Sequence, residues 1–469
     1  MKTRFCPSPT GLMHFGNVRT ALFNYLAAKH NNSDFLLRIE DTDVERSKEE
    51  FEEILKQDLK WLGSMWDEGV DIKGPHEPYK QSLRKEIYDK YFQELLDNKK
   101  AYHCFCSEEK LKLDRKIQRQ QGLPPRYPGT CASLSEEEVQ EKINKGLEPT
   151  IRFNVPRGEK IIFEDAVKGK QEFLSDDIGD FIIRRANGTS AFMFCNAIDD
   201  SLMGVNLALR GEDHLTNTPR QLLILKSLDL RVPKYGHISL IVGNDGSPLS
   251  KRHGSKSVKE LRDAGYLPGA IVNYLARLGH RYDDNLGYKD IHELAKNFNM
   301  HNLSLSPAKY DEKQLEHWQK EAFIRLDIDS FYELVDKSIL SIIKNKKEEF
   351  FDLIKYNILF PNEALFWAKN IFNKVEYASE NLELAKKLLD DKAQEFYNKC
   401  IKVINTQEVD YKSFCNILKD TLNVKGKSLF MPLRIALTGQ MHGPELDKVF
   451  HILSKDELIN KFKDVLEKL

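Results

Sequence analysis

A turn near the start of the chain carries residues suited to binding a phosphate group. The run Pro7-Ser-Pro-Thr-Gly-Leu-Met-His14-Phe-Gly16-Asn17 contains glycines that let the backbone come close to a ligand. Backbone amides at the start of a helix favour an anion, and His14 could stabilise charge on a phosphate undergoing displacement. These residues predict a nucleotide site, with a plain glycine turn and a surface histidine as the alternative.

A second segment with suitable chemistry lies much later, at Leu249-Ser250-Lys251-Arg252. The Lys251 ammonium and the Arg252 guanidinium are able to hold a departing pyrophosphate. Taken alone, the segment is equally typical of a basic surface loop. Both segments together, in this order along the chain, indicate chemistry on ATP more specifically than either does by itself.

Three cysteines lie close together in the middle of the sequence, at Cys104, Cys106 and Cys131. This density is unusual for a chain that shows no secretory signal, and thiolates are common zinc ligands. The alternative is that the three side chains pack as small apolar groups or remain free thiols. The remaining cysteines are isolated and are expected to pack in cores: Cys6, Cys195, Cys400 and Cys415.

The elements around the first segment read as strand, turn, helix and strand. Residues 2–6 are short and partly apolar, and from Val18 to Leu26 apolar residues recur at helical spacing. The run from Phe35 to Ile39 is almost continuously apolar, as in a parallel strand buried on both faces. Open parallel sheets bind ligands beyond the carboxyl ends of their strands, so the turn after Phe5 is where a nucleotide would bind.

A second α/β stretch begins near Val205. Thr218-Pro219 is typical of a helix N-cap followed by proline, and residues 237–242 predict another strand. Between the two stretches, residues 101–195 have mixed composition and predict an insertion that splits one sheet. No glycine occurs between Ser330 and Gly426, so the C-terminal third is expected to be all helical.

The totals place limits on the class of protein. The chain has 469 residues, of which 41% are hydrophobic and 30% charged, so several soluble domains are expected. A formal net charge of −1 excludes a global attraction to nucleic acid, and any such surface must be a local patch. No apolar run has the length of a membrane span, so a cytoplasmic protein with no membrane association is expected.

The two chemical segments resemble the two signatures of class I aminoacyl-tRNA synthetases, usually written His-Ile-Gly-His and Lys-Met-Ser-Lys-Ser. Further runs narrow the resemblance to the glutamyl and glutaminyl branch, at residues 4–11, 38–43, 210–214, 217–221 and 249–254. Near the end, residues 425–439 and 442–445 look like the helical anticodon-binding end of bacterial-type glutamyl enzymes. The resemblance covers nearly the whole chain.

The resemblance implies a multidomain fold and its boundaries. A Rossmann-like parallel α/β sheet is split by an α+β insertion and followed by an all-α anticodon-binding region. The implied segments are 1–100 and 196–245 for the two catalytic halves, 101–195 for the acceptor-binding insertion, 246–325 for the signature loop and stem-contact domain, and 326–469 for the helical region.

The resemblance also implies ATP-dependent attachment of L-glutamate to tRNA(Glu) through a glutamyl-adenylate, with Mg²⁺ accompanying ATP and the chain acting as a monomer. The residues matching catalytic positions are His14 and Lys251. Those matching ATP-binding positions are His14, Gly16, Asn17, Glu212, Ser250, Lys251 and Arg252. Those matching glutamate-binding positions are Arg4, Ser8, Glu40, Phe192, Asn196 and Arg210.

Some family members bind zinc through a Cys-x-Cys pair, a later cysteine and a tyrosine. The resemblance therefore implies one structural Zn²⁺ held by Cys104, Cys106, Tyr127 and Cys131. Two positions depart from the family pattern. Pro248 replaces the first lysine of the second signature, which removes one cation, and Phe192 stands where tyrosine is common, which removes a hydroxyl from the amino-acid pocket.

Four alternatives remain open at this stage. A glutaminyl-tRNA synthetase would carry β-barrels at its anticodon end, which the glycine-free helical stretch disfavours. A truncated relative that glutamylates a modified base would be shorter, and an unrelated nucleotidyltransferase would not carry the run from Arg210 to His214. A non-catalytic tRNA-binding paralogue would not need His14, Glu40 and Lys251 together. Whether tRNA(Gln) is a second partner is not decided by the sequence.

Overall fold

The computed structural model describes residues 1–43, 45–72, 74–249, 256–283 and 286–469. These residues form two compact units, the first made of Met1–Arg262 with Ile271–Glu312 and the second of Asp263–Ala270 with Lys313–Leu469. The finer division into five segments stays a prediction. Within the described ranges, none of the helices combines the length and apolar character needed to cross a membrane.

Strands are confined to the first unit in the described part of the chain. They are β1 (Thr3–Phe5), β2 (Phe35–Leu37), β3 (Glu68–Gly69), β4 (Ala101–Cys104), β5 (Thr150–Phe153), β6 (Lys160–Asp165), β7 (Gly169–Leu174), β8 (Phe181–Arg184), β9 (Leu207–Gly211), β10 (Lys234–Ile238), β11 (Ile241–Val242) and β12 (Ala308–Lys309).

The helices run through both units. They are α1 (Phe15–His30), α2 (Glu49–Trp61), α3 (Lys85–Asp97), α4 (Glu108–Gln120), α5 (Glu136–Asn144), α6 (Ser175–Ile178), α7 (Phe192–Leu202), α8 (Thr218–Ser227), α9 (Val258–Asp263), α10 (Pro268–Arg277), α11 (Ile291–Lys296), α12 (Glu312–Phe323), α13 (Ile328–Leu334), α14 (Ile339–Ile343), α15 (Lys347–Ile354), α16 (Glu363–Phe372), α17 (Ser379–Leu389), α18 (Ala393–Thr406), α19 (Tyr411–Leu422), α20 (Lys427–Thr438), α21 (Leu446–Ile452) and α22 (Lys455–Leu466).

A seven-stranded sheet forms the centre of the first unit, in the order β3-β2-β1-β9-β10-β6-β7. All neighbouring strands are parallel except β6 and β7, which form a hairpin. The apolar run in β2 is fully buried, because helices and loops cover both faces of a parallel sheet. The predicted strand, turn, helix and strand at the start of the chain is confirmed as β1, α1 and β2, with Thr3 opposite Phe35.

Two local features differ from the sequence prediction. The strand predicted over residues 237–242 is divided, since β10 belongs to the central sheet and β11 pairs with β12 elsewhere. Thr218 is the first residue of α8 rather than its N-cap, and Asn217 precedes the helix. The Thr218 hydroxyl instead accepts a hydrogen bond from Arg210, so a site interaction takes the place of the cap.

The region predicted as an insertion contributes to two sheets. β4, β5 and β8 form a separate antiparallel sheet, whereas the β6-β7 hairpin extends the central sheet beside β10. Helices α4 and α5 lie outside both sheets and contain no buried residue. The insertion is therefore joined to the catalytic sheet through β6, which brings Asp165 at its end next to β10.

The second unit is helical, as predicted, from α13 to α22. Its core is rich in aromatic side chains, and Phe396, Phe414 and Phe462 are fully buried. Pro432 lies inside α20, where its Tyr397 neighbour donates a hydrogen bond to the Pro432 carbonyl at 3.2 Å. This hydrogen bond joins α18 to α20.

Candidate active site

A cavity of about 530 Å³ opens at the carboxyl ends of the parallel strands. Its lining residues follow four of these strands, with Cys6 and Pro7 after β1, Glu40 after β2, Asp213 after β9 and Ser239 after β10. This is the edge at which an open parallel sheet binds its ligand. The parallel order of the strands therefore determines where the pocket lies, and the loops that follow the strands provide its functional side chains.

The cavity gathers eight of the residues predicted for glutamate and ATP. They are Arg4, Ser8, Gly16, Asn17, Glu40, Phe192, Asn196 and Arg210. His14 lines an adjoining hollow of about 460 Å³ that shares Ser8 and Asn17 with the main cavity.

Glu212 does not line either space. Its carboxylate pairs with Lys168 at 2.6 Å and accepts the Leu240 backbone N–H at 2.9 Å. Ser250, Lys251 and Arg252 lie outside the described residues.

Arg210 is one of three buried arginines that line the cavity, with Arg4 and Arg19. Its Nε donates to His237 Nε2 at 3.3 Å and its Nη2 donates to Thr218 Oγ1 at 2.8 Å, while Nη1 is buried without a hydrogen-bond partner. Burial lowers the pKa of the guanidinium to about 10, so it remains charged at neutral pH. A buried donor without an acceptor is costly, which favours an anionic ligand here.

A second buried network surrounds Asp200. Its carboxylate accepts from Arg4 Nε and Nη2, both at 3.2 Å, and from Arg38 Nη2 at 2.7 Å. Burial alone would raise the pKa of Asp200, but Arg4 and Arg38 hold it below its usual value. The Arg4 guanidinium is thus fixed through charged hydrogen bonds, and its position at the cavity wall is set by α7.

Glu40 is a half-buried acidic group of the cavity, which Asp213 also lines. Asn196 Nδ2 donates to Glu40 Oε2 at 3.3 Å, and Asn196 Oδ1 accepts from Arg38 at 2.9 Å, which orients the amide. Burial raises the pKa of Glu40 to about 7, although hydrogen bonds from Asn196 and Ser8 oppose the rise. A carboxylate that titrates near neutrality next to an empty space is suited to an ammonium partner.

Phe192 forms part of the apolar wall. Its ring stacks on His214 with centroids 5.2 Å apart. Burial lowers the pKa of His214 to about 4, so the imidazole is neutral and adds no charge beside Arg210.

The three clustered cysteines meet at the end of β4. Their Sγ atoms lie within 4.8 Å of one another, and Cys106 Sγ is 3.7 Å from Cys131 Sγ. The Tyr127 hydroxyl is 3.3 Å from Cys104 Sγ and 3.4 Å from Cys106 Sγ. The three thiols and the Tyr127 hydroxyl are therefore close enough together to share one metal ion.

The ionisable groups of this cluster are shifted in different directions. Burial would raise the pKa of the Cys104 thiol, but hydrogen bonds from Tyr127 and Arg152 lower it to about 7. Burial raises the pKa of Cys106 to about 11. The Arg152 guanidinium lies 3.9 Å from the centroid of the Tyr127 ring and holds that ring in place.

Sequence reasoning missed the groups that support the cavity from behind. Asp200 and its neighbour Asp199 are fully buried, and Asp199 accepts from Arg84 at 2.7 Å and Gln81 at 2.9 Å. Asp165 and His237 were also missed, although they contact each other at 2.5 Å behind Arg210. The only local signal was two adjacent acidic residues in the otherwise apolar segment of α7.

Comparison with known proteins gives matches along the whole chain. Residues 1–317 match the family model described as "tRNA synthetases class I (E and Q), catalytic domain". Residues 330–466 match the model "Anticodon binding domain".

Curated relatives and solved structures agree with these models. A "Glutamate--tRNA ligase 2" of Coxiella burnetii is 54% identical over 470 residues and covers 100% of both chains. A "Glutamate--tRNA ligase 2" of Nitrosococcus oceani is 49% identical over 97% of this chain and 95% of its own. The crystal structure of a glutamate tRNA ligase from Elizabethkingia meningosepticum, in complex with its amino acid, has a TM-score of 0.91 at 28% identity, covering 100% of this chain and 99% of that one.

Proposed function

The chain belongs to the class I tRNA synthetases for glutamate and glutamine and attaches glutamate to tRNA, and from this premise we propose how its cavity selects and activates glutamate. The observation that carries the proposal is the buried Arg210 guanidinium with an unused donor at the cavity wall. Glutamate differs from most amino acids by a second carboxylate, and a buried guanidinium is its natural partner.

Glutamate is oriented by its opposite charges. Its side-chain carboxylate binds the Arg210 guanidinium, and its ammonium binds Glu40, whose oxygens are held by Asn196. Arg4 and Ser8 complete the polar wall around the α-carboxylate, and Phe192 packs against the methylene groups. This arrangement leaves the α-carboxylate pointing toward the turn that contains Gly16 and Asn17.

ATP binds at that turn, where the start of α1 and its glycines favour phosphate. An oxygen of the glutamate α-carboxylate attacks the α-phosphorus, forming glutamyl-adenylate and releasing pyrophosphate. His14, beside the cavity, and Lys251 stabilise the negative charge that develops, and Gly16, Asn17, Ser250 and Arg252 complete the ATP site. Mg²⁺ neutralises charge on the ATP phosphates when it is bound.

The second step transfers the glutamyl group. A hydroxyl of the terminal ribose of tRNA(Glu) attacks the acyl carbon of the adenylate, and AMP leaves with the bond electrons. Residues 330–466 are the anticodon-binding part of this assignment, and the region around β4, β5 and β8 holds the acceptor end. Amino-acid activation is expected to need bound tRNA, as is usual in this branch of the class.

We further propose that Cys104, Cys106, Tyr127 and Cys131 hold one structural zinc ion. The spacing of their ligand atoms and the lowered pKa of Cys104 support this set. Three thiolates and a phenolate would carry more negative charge than Zn²⁺ neutralises, and the nearby Arg152 compensates part of the excess. Zinc here would fix the loop between β4 and β5 rather than act in catalysis.

Replacement of Arg210 tests the amino-acid assignment. Arg210→Ala should raise the KM for glutamate by about tenfold to a hundredfold and reduce the preference for glutamate over glutamine, because the side-chain carboxylate loses its cationic partner. The measurement is ATP–pyrophosphate exchange with tRNA present, using glutamate and glutamine in parallel. Arg231→Ala, which removes an exposed arginine from the same unit, is the matched control. An unchanged preference in Arg210→Ala would refute the assignment.

A further inference from the structure

Behind Arg210 lies a pair of buried residues that no catalytic step uses. We propose that Asp165 and His237 are positioning residues, which fix the orientation of the Arg210 guanidinium and thereby set the affinity of the cavity for the side-chain carboxylate of the substrate. The inference rests on the proposed role of Arg210 in binding glutamate. His237 is fully buried and lies between the other two residues, so it neither touches the cavity nor reaches solvent.

The hydrogen bonds determine which nitrogen of His237 carries the proton. Arg210 Nε–H is only a donor, so His237 Nε2, at 3.3 Å, must be an acceptor. The proton of a neutral imidazole then lies on Nδ1, which donates to Asp165 Oδ2 at 2.5 Å. The Thr218 hydroxyl lies 3.0 Å from Nε2 and donates a second hydrogen bond to it. The same hydroxyl oxygen accepts a hydrogen bond from Arg210 Nη2–H.

The Asp165 carboxylate is itself fixed by the backbone. Its Oδ1 accepts N–H groups from Val167 at 2.9 Å, Lys168 at 2.8 Å and His237 at 3.2 Å. Only Oδ2 is left for the imidazole. Burial lowers the pKa of His237 despite this hydrogen bond, which agrees with a neutral ring.

This arrangement holds Arg210 along one edge. Nε is directed to His237 and Nη2 to Thr218, so the guanidinium plane cannot rotate, and Nη1 is the donor that stays unpaired. A protonated Nε2 would place two N–H groups against each other and displace the guanidinium. A side chain held ready for its ligand loses less conformational freedom on binding, and affinity rises accordingly.

The pair also joins two distant parts of the sequence. Asp165 ends β6, which belongs to the region between the catalytic halves, whereas His237 and Arg210 lie on β10 and β9. Tyr235 on β10 pairs in register with Asp165. The amino-acid pocket therefore depends on a residue from the segment that is proposed to hold the tRNA acceptor end.

Asp165→Asn gives a specific test. The three backbone N–H groups retain the amide oxygen, so the amide nitrogen faces His237 Nδ1 as a donor. The imidazole must then accept at Nδ1 and carry its proton on Nε2, against Arg210 Nε–H. We expect the KM for glutamate to rise by about tenfold or more in tRNA-dependent ATP–pyrophosphate exchange, with a smaller change in kcat.

Restoring the acceptor for Arg210 distinguishes a positioning role of the pair from general damage to the fold. His237→Gln supplies an amide oxygen for Arg210 whatever stands at position 165, so its KM should stay within a few-fold of wild type. The double variant Asp165→Asn/His237→Gln should recover the KM of His237→Gln. His237→Leu lacks the acceptor and should resemble Asp165→Asn, which gives an independent comparison if the asparagine variant does not fold.

The outcomes distinguish the two proposals. A raised glutamate KM in Arg210→Ala with a wild-type KM in both Asp165→Asn and His237→Leu would overturn the positioning role alone. A double variant as impaired as Asp165→Asn would also overturn it. An unchanged KM in Arg210→Ala would instead overturn the role of Arg210 on which the inference rests.

Discussion

In the proposed mode of binding, two charged side chains, Arg210 and Glu40, divide the recognition of glutamate between them. Arg210, on β9, supplies a buried positive charge with a donor that has no partner, and Glu40, after β2, supplies a half-buried carboxylate. The position of each charged group depends on hydrogen bonds from neighbouring side chains. Arg210 depends on His237 and Thr218, and Glu40 depends on Asn196, so each charged group has a neutral partner that fixes its geometry.

The raised pKa of Glu40 predicts a pH dependence. Burial moves this pKa to about 7, so the carboxylate is ionised above that pH and protonated below it. Only the ionised form attracts the glutamate ammonium, and the KM for glutamate should therefore rise as the pH falls below 7, by up to about tenfold per pH unit. The measurement is ATP–pyrophosphate exchange between pH 6 and 8.

Glu40→Gln is the control for this prediction. An amide cannot titrate, so the variant should bind glutamate weakly with a much flatter pH profile over the same range. A wild-type KM that stays constant from pH 6 to 8 would show that Glu40 does not carry the ammonium.

At the scale of the residue, the sequence indicated the charged residues of the cavity but not the buried residues that hydrogen-bond to them. Arg4, Glu40 and Arg210 could be predicted because they lie in recognisable runs, and Asn196 because it matches a family position. The cavity brings all four together. Asp200 could not be assigned, since an acidic residue on a helix is usually exposed. Its burial results from Arg4 and Arg38, which reach it from strands more than 150 residues away in the sequence.

At the scale of the element, local patterns predicted the first strands and helix of the chain and its helical C-terminal third. The unit of β1, α1 and β2 follows from apolar periodicity, because its contacts are short in sequence. The division between β10 and β11 did not follow, since the mostly apolar run over residues 237–242 shows no break at Ser239 and Leu240, although both line the cavity. The placement of β6 in the central sheet also required long-range pairing that no local pattern contains.

The cysteine cluster in the segment between β4 and β5 leads to a prediction about metal content. Protein purified without chelators should contain about one zinc per chain, and Cys104→Ser should lose it. Tyr127→Phe should weaken zinc binding while leaving the ring against Arg152 in place. Because the site is separate from the amino-acid cavity, tRNA charging should fall more than glutamate affinity. Elemental analysis and aminoacylation of the same samples make the comparison.

Cys415→Ala provides the matched control, since it removes a buried thiol from the helical unit and should leave the zinc content unchanged. Metal-free wild-type protein with normal stability and full charging activity would mean that the three cysteines only pack together.

At the scale of the whole molecule, the chain separates two tasks. Residues 1–317 match the catalytic family model and residues 330–466 the anticodon-binding model, in line with a sheet-containing unit and a helical unit. A net charge of −1 gives the molecule no general attraction to tRNA, so recognition depends on local surfaces. The sequence predicted this division, because after residue 330 glycines are absent up to Gly426 and no strand pattern is seen.

The five-segment division made from the sequence is finer than the two units of the structure. Compactness groups the region around β6 with the catalytic sheet, because the β6-β7 hairpin extends that sheet. The composition of the segment could not predict this pairing, since composition describes the residue types of a segment and not the strand with which it pairs. The same pairing brings Asp165 next to His237, behind Arg210, so a boundary that composition could not predict supplies one residue of the proposed positioning pair.

A crystal structure of the full chain with bound glutamate tests the central claim most directly. We expect the side-chain carboxylate within about 3 Å of the Arg210 guanidinium and the ammonium at a similar distance from a Glu40 oxygen. The α-carboxylate should then point toward Gly16 and Asn17. Glutamate bound in the reverse orientation, with its ammonium away from Glu40 and its side-chain carboxylate away from Arg210, would contradict this account of how the molecule selects its substrate.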